Sequence, residues 1–156
     1  MRLSVHHKLP VIEGSVLLAA VLRTNVFLSV LIVFPILFSL IGLKWGDLGF
    51  VDRAWYTSVV IAYAVLEVPR LIMGMNGNKE RSVSSLIGFV TLSLTFHIGI
   101  MAVYHAMVPR KNSLDYAIST VEIILAGAEV LLAIVEIRKM VRQNTVNFYV
   151  SLGMDV

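Results

Sequence analysis

Four long apolar stretches broken by short polar punctuation set the pattern of this chain. Val26 to Leu43 runs for eighteen residues without a charge, enough to cross a hydrocarbon core as a helix. The pattern predicts spans at about 24–43, 54–73, 84–107 and 115–137. KWGDLGFVDR, GMNGNKER and VPRKNS join them. Residues 1–23 mix Arg2, His6, His7, Lys8, Pro10 and Glu13 with a short apolar run and read as a cytoplasmic or interfacial lead-in. Residues 138–156 read as a basic cytoplasmic tail. Pro35, in mid-span, predicts a kink that bilayer helices tolerate. Gly74, Gly77 and Asn78 predict a helix stop and tight turn. Trp45 and Trp55 read as an interfacial belt.

Inside this pattern, polar and small positions recur at helical spacing. In the fourth span Glu122, Glu129 and Glu136 stand seven residues apart, nearly two turns, so they share one face. Ser119, Ala126 and Ala133 fall between them. The second span presents Tyr56, Tyr63 and Arg70 at the same interval, with Val60 and Glu67 between. The third carries a small-residue stripe through Gly88, Thr91, Thr95 and Gly99, which predicts a helix-packing face.

Composition agrees with the pattern. The chain has 156 residues, 58% of them hydrophobic and 15% charged, with a mean hydropathy of +0.84; soluble domains carry roughly 25% charge. One domain of four spans uses nearly all of that length. Of the 13 Lys and Arg residues, only Lys44, Arg53, Arg110 and Lys111 fall on the side opposite the termini. The positive-inside rule then places both termini in the cytoplasm. Spans two and four run in the same direction under that topology, and their polar faces predict a ladder pairing Tyr56 with Glu122, Tyr63 with Glu129 and Arg70 with Glu136, Glu67 competing for Arg70.

Acids at membrane depth must find partners in protein, water or ligand. Three readings follow: a polar seam fixing how helices meet, a proton or cation path through Glu122 and Glu129, or a contact with lipid headgroups. His97 reads as a packing residue. There is no cysteine, hence no disulfide, thiolate metal site or cysteine nucleophile. No nucleophile elbow, P-loop or zinc motif occurs, and Glu122 and Glu129 lie about 10 Å apart along a helix, too far for shared acid and base work on one bond. No enzymatic activity, cofactor, metal or nucleic-acid partner is expected. The fold class expected is all-α, a four-span transmembrane helix bundle.

At Glu67 to Asn78, EVPRLIMGMNGN, the chain resembles the family of ciliary transmembrane proteins 17 and 216, whose second span ends in a glutamate, an arginine and leucine, a glycine and a Gly-Asn turn; here these are Glu67, Arg70, Leu71, Gly74, Gly77 and Asn78. The tail RKMVRQ, with Arg138 and Lys139, resembles the transmembrane protein 17 branch most. Pro69 departs from the pattern, standing where an apolar residue is usual. The resemblance implies a membrane subunit of the ciliary transition zone, within the Meckel-syndrome-associated complex alongside tectonic proteins and other small multi-span proteins. Its role there is to support ciliogenesis and the diffusion gate for ciliary membrane proteins. The bilayer is the other implied partner, with anionic inner-leaflet lipid expected at the basic tail.

Overall fold

The structure is a computed structural model that describes residues 14–153. The lead-in read at residues 1–23 therefore lies, as far as residue 13, outside the described residues. Four helices make up the described fold: α1, Val16–Lys44; α2, Phe50–Lys79; α3, Val83–Met107; and α4, Ser113–Ser151. Each is long and apolar enough to cross a membrane. α1 is already helical from Val16, ahead of the expected span. α4 continues without a break as far as Ser151, into the segment read as a tail.

Local chemistry sets the helix starts. Ser15 caps α1 by accepting from the Leu18 amide, and Ser82 caps α3 by accepting from Ser85. Asn112 and Asp115 close a reciprocal capping box at α4, which satisfies two amides that a helix start leaves without partners. The segment expected to stop the second span does not stop it. Gly74, Gly77 and Asn78 all lie inside α2, and the turn comes later, at Arg81, whose φ is 54°. Glycine weakens a helix by about 1 kcal/mol relative to alanine, but here tertiary contacts hold it helical.

Two helices contain a π-turn, Ser29–Val33 in α1 and Ser93–His97 in α3. The first stands just before Pro35, where proline removes a backbone donor. Such turns re-aim the side chains around them and recur at functional sites. Both do so here, because Ser29, Ser93 and His97 all face the interior.

The helices pack as a ring in chain order, α1 closing against α4, so α2 and α4 face each other across the diagonal. Phe27, Leu31, Ile61, Ile124 and Leu131 are at least half exposed and form the surface that lipid would cover. The apolar core is in two parts. Tyr56, Val60, Leu37 and Met101 belong to the part at the end distal to the termini, and Leu18, Leu22, Leu86 and Phe89 to the part at the terminal end. A polar layer separates them.

Candidate functional site

That layer is centred on Arg70, fully buried. Its Nε and Nη2 donate to the two carboxylate oxygens of Glu67 at 2.8 and 2.7 Å, one turn back on α2. Nη1 reaches across the diagonal to Glu129 Oε2 at 2.5 Å and also donates to Ser93 Oγ at 3.3 Å. The other Glu129 oxygen accepts from Asn25 Nδ2 at 2.8 Å. Ser29 Oγ donates to Asn25 Oδ1 or to Glu67 Oε1, at 3.1 and 3.3 Å. His97 Nδ1 lies 2.8 Å from Glu67 Oε2, and its Nε2 lies 3.4 Å from Glu122. Every helix contributes at least one group to this node. Bidentate guanidinium–carboxylate pairs are the strong ones geometrically, and in a bilayer they also hide charge that would otherwise meet hydrocarbon.

Both sequence-predicted faces point inward: Tyr56, Tyr63, Glu67 and Arg70 on α2, Glu122, Glu129 and Glu136 on α4. Their register differs from the expected ladder by one full repeat. Arg70 pairs with Glu129, not Glu136; Tyr63 faces Glu122. Side chains on a helix lean toward its amino terminus, and α2 and α4 both start at the distal end, so the long arginine reaches back toward Glu129. Glu136, nearer the terminal end, meets Lys139 at 3.7 Å instead.

Above the central node, Glu122 is fully buried, yet neither carboxylate oxygen has a hydrogen-bond partner. The Tyr63 hydroxyl and His97 Nε2 share that condition. A second node closes the distal end, again with one residue from each helix. Lys44 Nζ contacts Asp115 Oδ2 at 2.5 Å, Tyr104 donates to Asp115 Oδ1 at 2.6 Å, and the Tyr56 hydroxyl lies 3.1 Å from that of Tyr104. Asp115→Ala removes the partner of a buried lysine and opens the α4 capping box. We expect it to lower stability by about 3 kcal/mol, an unpaired buried charge plus a lost cap, measured by chemical unfolding in detergent micelles.

At the terminal end the resemblance residues turn out to be packing devices. A Cβ on Gly74 would lie 2.8 Å from the Phe89 ring, and one on Gly77 2.9 Å from the Leu86 backbone nitrogen. The Asn78 side chain accepts from the Ser15 amide and donates to the Ser15 carbonyl, both at 2.9 Å, clamping the start of α1 to the end of α2. Asn78→Ala is expected to cost about 1–3 kcal/mol and to raise hydrogen exchange selectively in the first turns of α1.

The small stripe of α3 is not one packing face of the bundle. Gly88 meets Met73, whereas Thr91 and Thr95 are exposed and a Cβ on Gly99 would meet nothing within 4 Å. Close approach of α2 and α3 comes from the glycines of α2 instead. Arg138 and Lys139 are exposed on α4. Asn25, Ser29, Ser93, Lys44 and Asp115 were not singled out from sequence. Asn25 and Ser29 sit one turn apart in an apolar run, and that spacing was the available signal. His97, read as a packing residue, bridges two acids. Among the described residues no group of His, Asp or Glu is arranged to hold a metal ion.

Fold and interior together define a class: a small four-span helical membrane protein whose axis is a column of buried polar side chains. Residues 20–126 match the family model Transmemb_17, described as a predicted membrane protein, and the chain belongs to that family. It is similar to transmembrane protein 17B of Xenopus tropicalis, 24% identical over 112 residues. The match covers 70% of this chain and 50% of that protein, so this chain spans about half the length of the relative. No solved structure matches it.

Proposed function

We propose that this protein is a non-enzymatic subunit of the ciliary transition-zone membrane complex, with both termini cytoplasmic, and that it acts as a scaffold in the diffusion gate. The observation that carries this reading is the diagonal Arg70–Glu129 pair, tied through Glu67, Asn25 and Ser93 to all four helices. Interior polar groups so engaged fix one arrangement of helices and leave little for chemistry on a substrate. Partners then meet the outside of the bundle. α4 offers them most: at 1.5 Å per residue its 39 residues span about 58 Å, well beyond a hydrocarbon core of about 30 Å. The excess carries Arg138, Arg142, Phe148 and Tyr149, the last two exposed. The resemblance to the transmembrane protein 17 and 216 family supplies the setting, with tectonic proteins and other small multi-span proteins as the expected neighbours.

The test is the position of the tagged protein in a ciliated cell. A ring at the ciliary base is expected; diffuse endoplasmic-reticulum signal would overturn the reading. One observation favours a second reading, a small proton or cation transporter: the buried Glu122 carboxylate makes no hydrogen bond, and His97 Nε2 approaches it only to 3.4 Å. Reconstituted liposomes decide between the two. We expect no flux, and flux abolished by Glu122→Gln or Glu129→Gln would replace the scaffold reading.

A further inference from the structure

A cleft of about 400 Å³ opens at the terminal end between the first turns of α1 and the last turns of α2, lined by Gly14, Ala19, Arg23, Asn76 and Lys79 among others. The Asn78–Ser15 clamp holds its two walls together. Gly14 is fitted against Asn78, whose backbone oxygen leaves no room for a Cβ. The opening is thus built into the packing of two helix ends. Its two cations, Arg23 and Lys79, are exposed and make no ion pair among the described residues. Glu80, the carboxylate next to Lys79, does not line the cleft.

Depth matters as much as charge. Arg23 and Lys44 are 21 residues apart on one helix, about 32 Å at 1.5 Å per residue, close to the thickness of the hydrocarbon core. Lys44 belongs to the distal polar node, so Arg23 marks the opposite boundary, at the level of lipid headgroups. Helical spacing places Phe27 and Val30 beneath Arg23 on α1, and Val68 and Ile72 beneath Lys79 on α2. These four are 65%, 54%, 53% and 47% exposed. A cationic cleft at headgroup depth therefore stands over an apolar face at acyl depth.

We propose that this cleft binds an anionic phospholipid, its phosphate held by Arg23 and Lys79 with Asn76 as a further hydrogen-bond partner, its acyl chains lying along Phe27, Val30, Val68 and Ile72. The site is separate from the basic tail, where Lys139 is already engaged by Glu136 and the cations lie along one exposed helix. A free phosphate shares the headgroup chemistry but would gain nothing from the apolar face. The lipid also has a structural consequence, since it bridges the two helix ends that the Asn78 clamp joins.

The full chain in nanodiscs, phosphatidylcholine alone against phosphatidylcholine with phosphatidic acid, tests this by thermal unfolding and by lipid retention in native mass spectrometry. Phosphatidic acid is expected to raise the unfolding temperature and to remain bound as one retained lipid. At about 1 kcal/mol per cation near a membrane surface, the Arg23→Gln/Lys79→Gln variant is expected to bind about 30-fold more weakly and to lose the shift, while Arg142→Gln keeps it. Inorganic phosphate added to detergent-solubilised protein is expected to give no shift. The proposal is overturned if the double variant retains the lipid shift, if Arg142→Gln abolishes it equally, or if inorganic phosphate reproduces it. Should the double variant unfold in phosphatidylcholine alone, Phe27→Ala/Ile72→Ala, which leaves the cations in place, is expected to reduce lipid retention; unchanged retention would count against the site.

Discussion

Arg70→Met is expected to be the most damaging single substitution, lowering the stability of the bundle by about 3–5 kcal/mol. Methionine nearly fills the volume, so the loss is electrostatic. Glu67 and Glu129 would face each other across the diagonal with the His97 imidazole beside Glu67, and Asn25, Ser29 and Ser93 would lose the geometry that the guanidinium fixes. The reverse change is expected to be mild. Glu129→Gln leaves the bidentate Arg70–Glu67 pair intact, and the amide oxygen still accepts from Arg70. This asymmetry separates a charge network from simple packing. Unfolding in detergent micelles should show a large loss for Arg70→Met and a small one for Glu129→Gln. Adding Glu67→Gln and Glu129→Gln to Arg70→Met should recover most of the loss, because the buried charges left without partners are then gone. Equal effects of the two single substitutions, or no recovery in the triple variant, would show that the node does not act through charge.

Gly77→Val is expected to destabilise by about 3 kcal/mol, the upper end of the usual cost of overpacking. The obstacle is backbone. A Cβ there lies 2.9 Å from the Leu86 nitrogen, so α2 and α3 must separate for any side chain to enter. Gly74→Ala meets the Phe89 ring instead, and that ring stacks under Arg70 at 5.5 Å, so a smaller effect there should still reach the polar node. Gly99→Ala is the matched control: with nothing within 4 Å, it should be neutral or gain up to about 1 kcal/mol of helix propensity. Thermal unfolding of the three variants should rank Gly77→Val below Gly74→Ala and Gly74→Ala below Gly99→Ala. A loss at Gly99 comparable to that at Gly77 would mean that α3 packs through its small-residue stripe after all.

The four-helix class was legible in the sequence because eighteen uncharged residues in a row admit few structures other than a spanning helix. The inward faces of α2 and α4 were legible for the same kind of reason: a seven-residue interval keeps Tyr56, Tyr63 and Arg70, or Glu122, Glu129 and Glu136, on one side of a helix whatever surrounds it. What spacing does not carry is the axial offset between helices. The choice of Glu129 over Glu136 falls to the lean and length of the Arg70 side chain and to the counter-charge that a fully buried Glu129 needs. Asn25, Ser29 and Ser93 were missed, and His97 was read as packing, because short polar residues and a histidine within apolar helices are a pattern shared with side chains that bond only to their own helix.

Taken alone, the sequence determined the number of spans, the helical class, the acidic face of α4 and the polar face of α2, since these follow from local periodicity and from the cost of exposing backbone to hydrocarbon. Only the tertiary structure decided that Arg70 binds Glu129, that two π-turns bring Ser29, Ser93 and His97 to the same point, and that Gly74 and Gly77 pack helices rather than end one. Those outcomes depend on which surfaces meet and at what height, and contacts between residues up to 104 positions apart, as for Asn25 and Glu129, leave no trace in the spacing of neighbours.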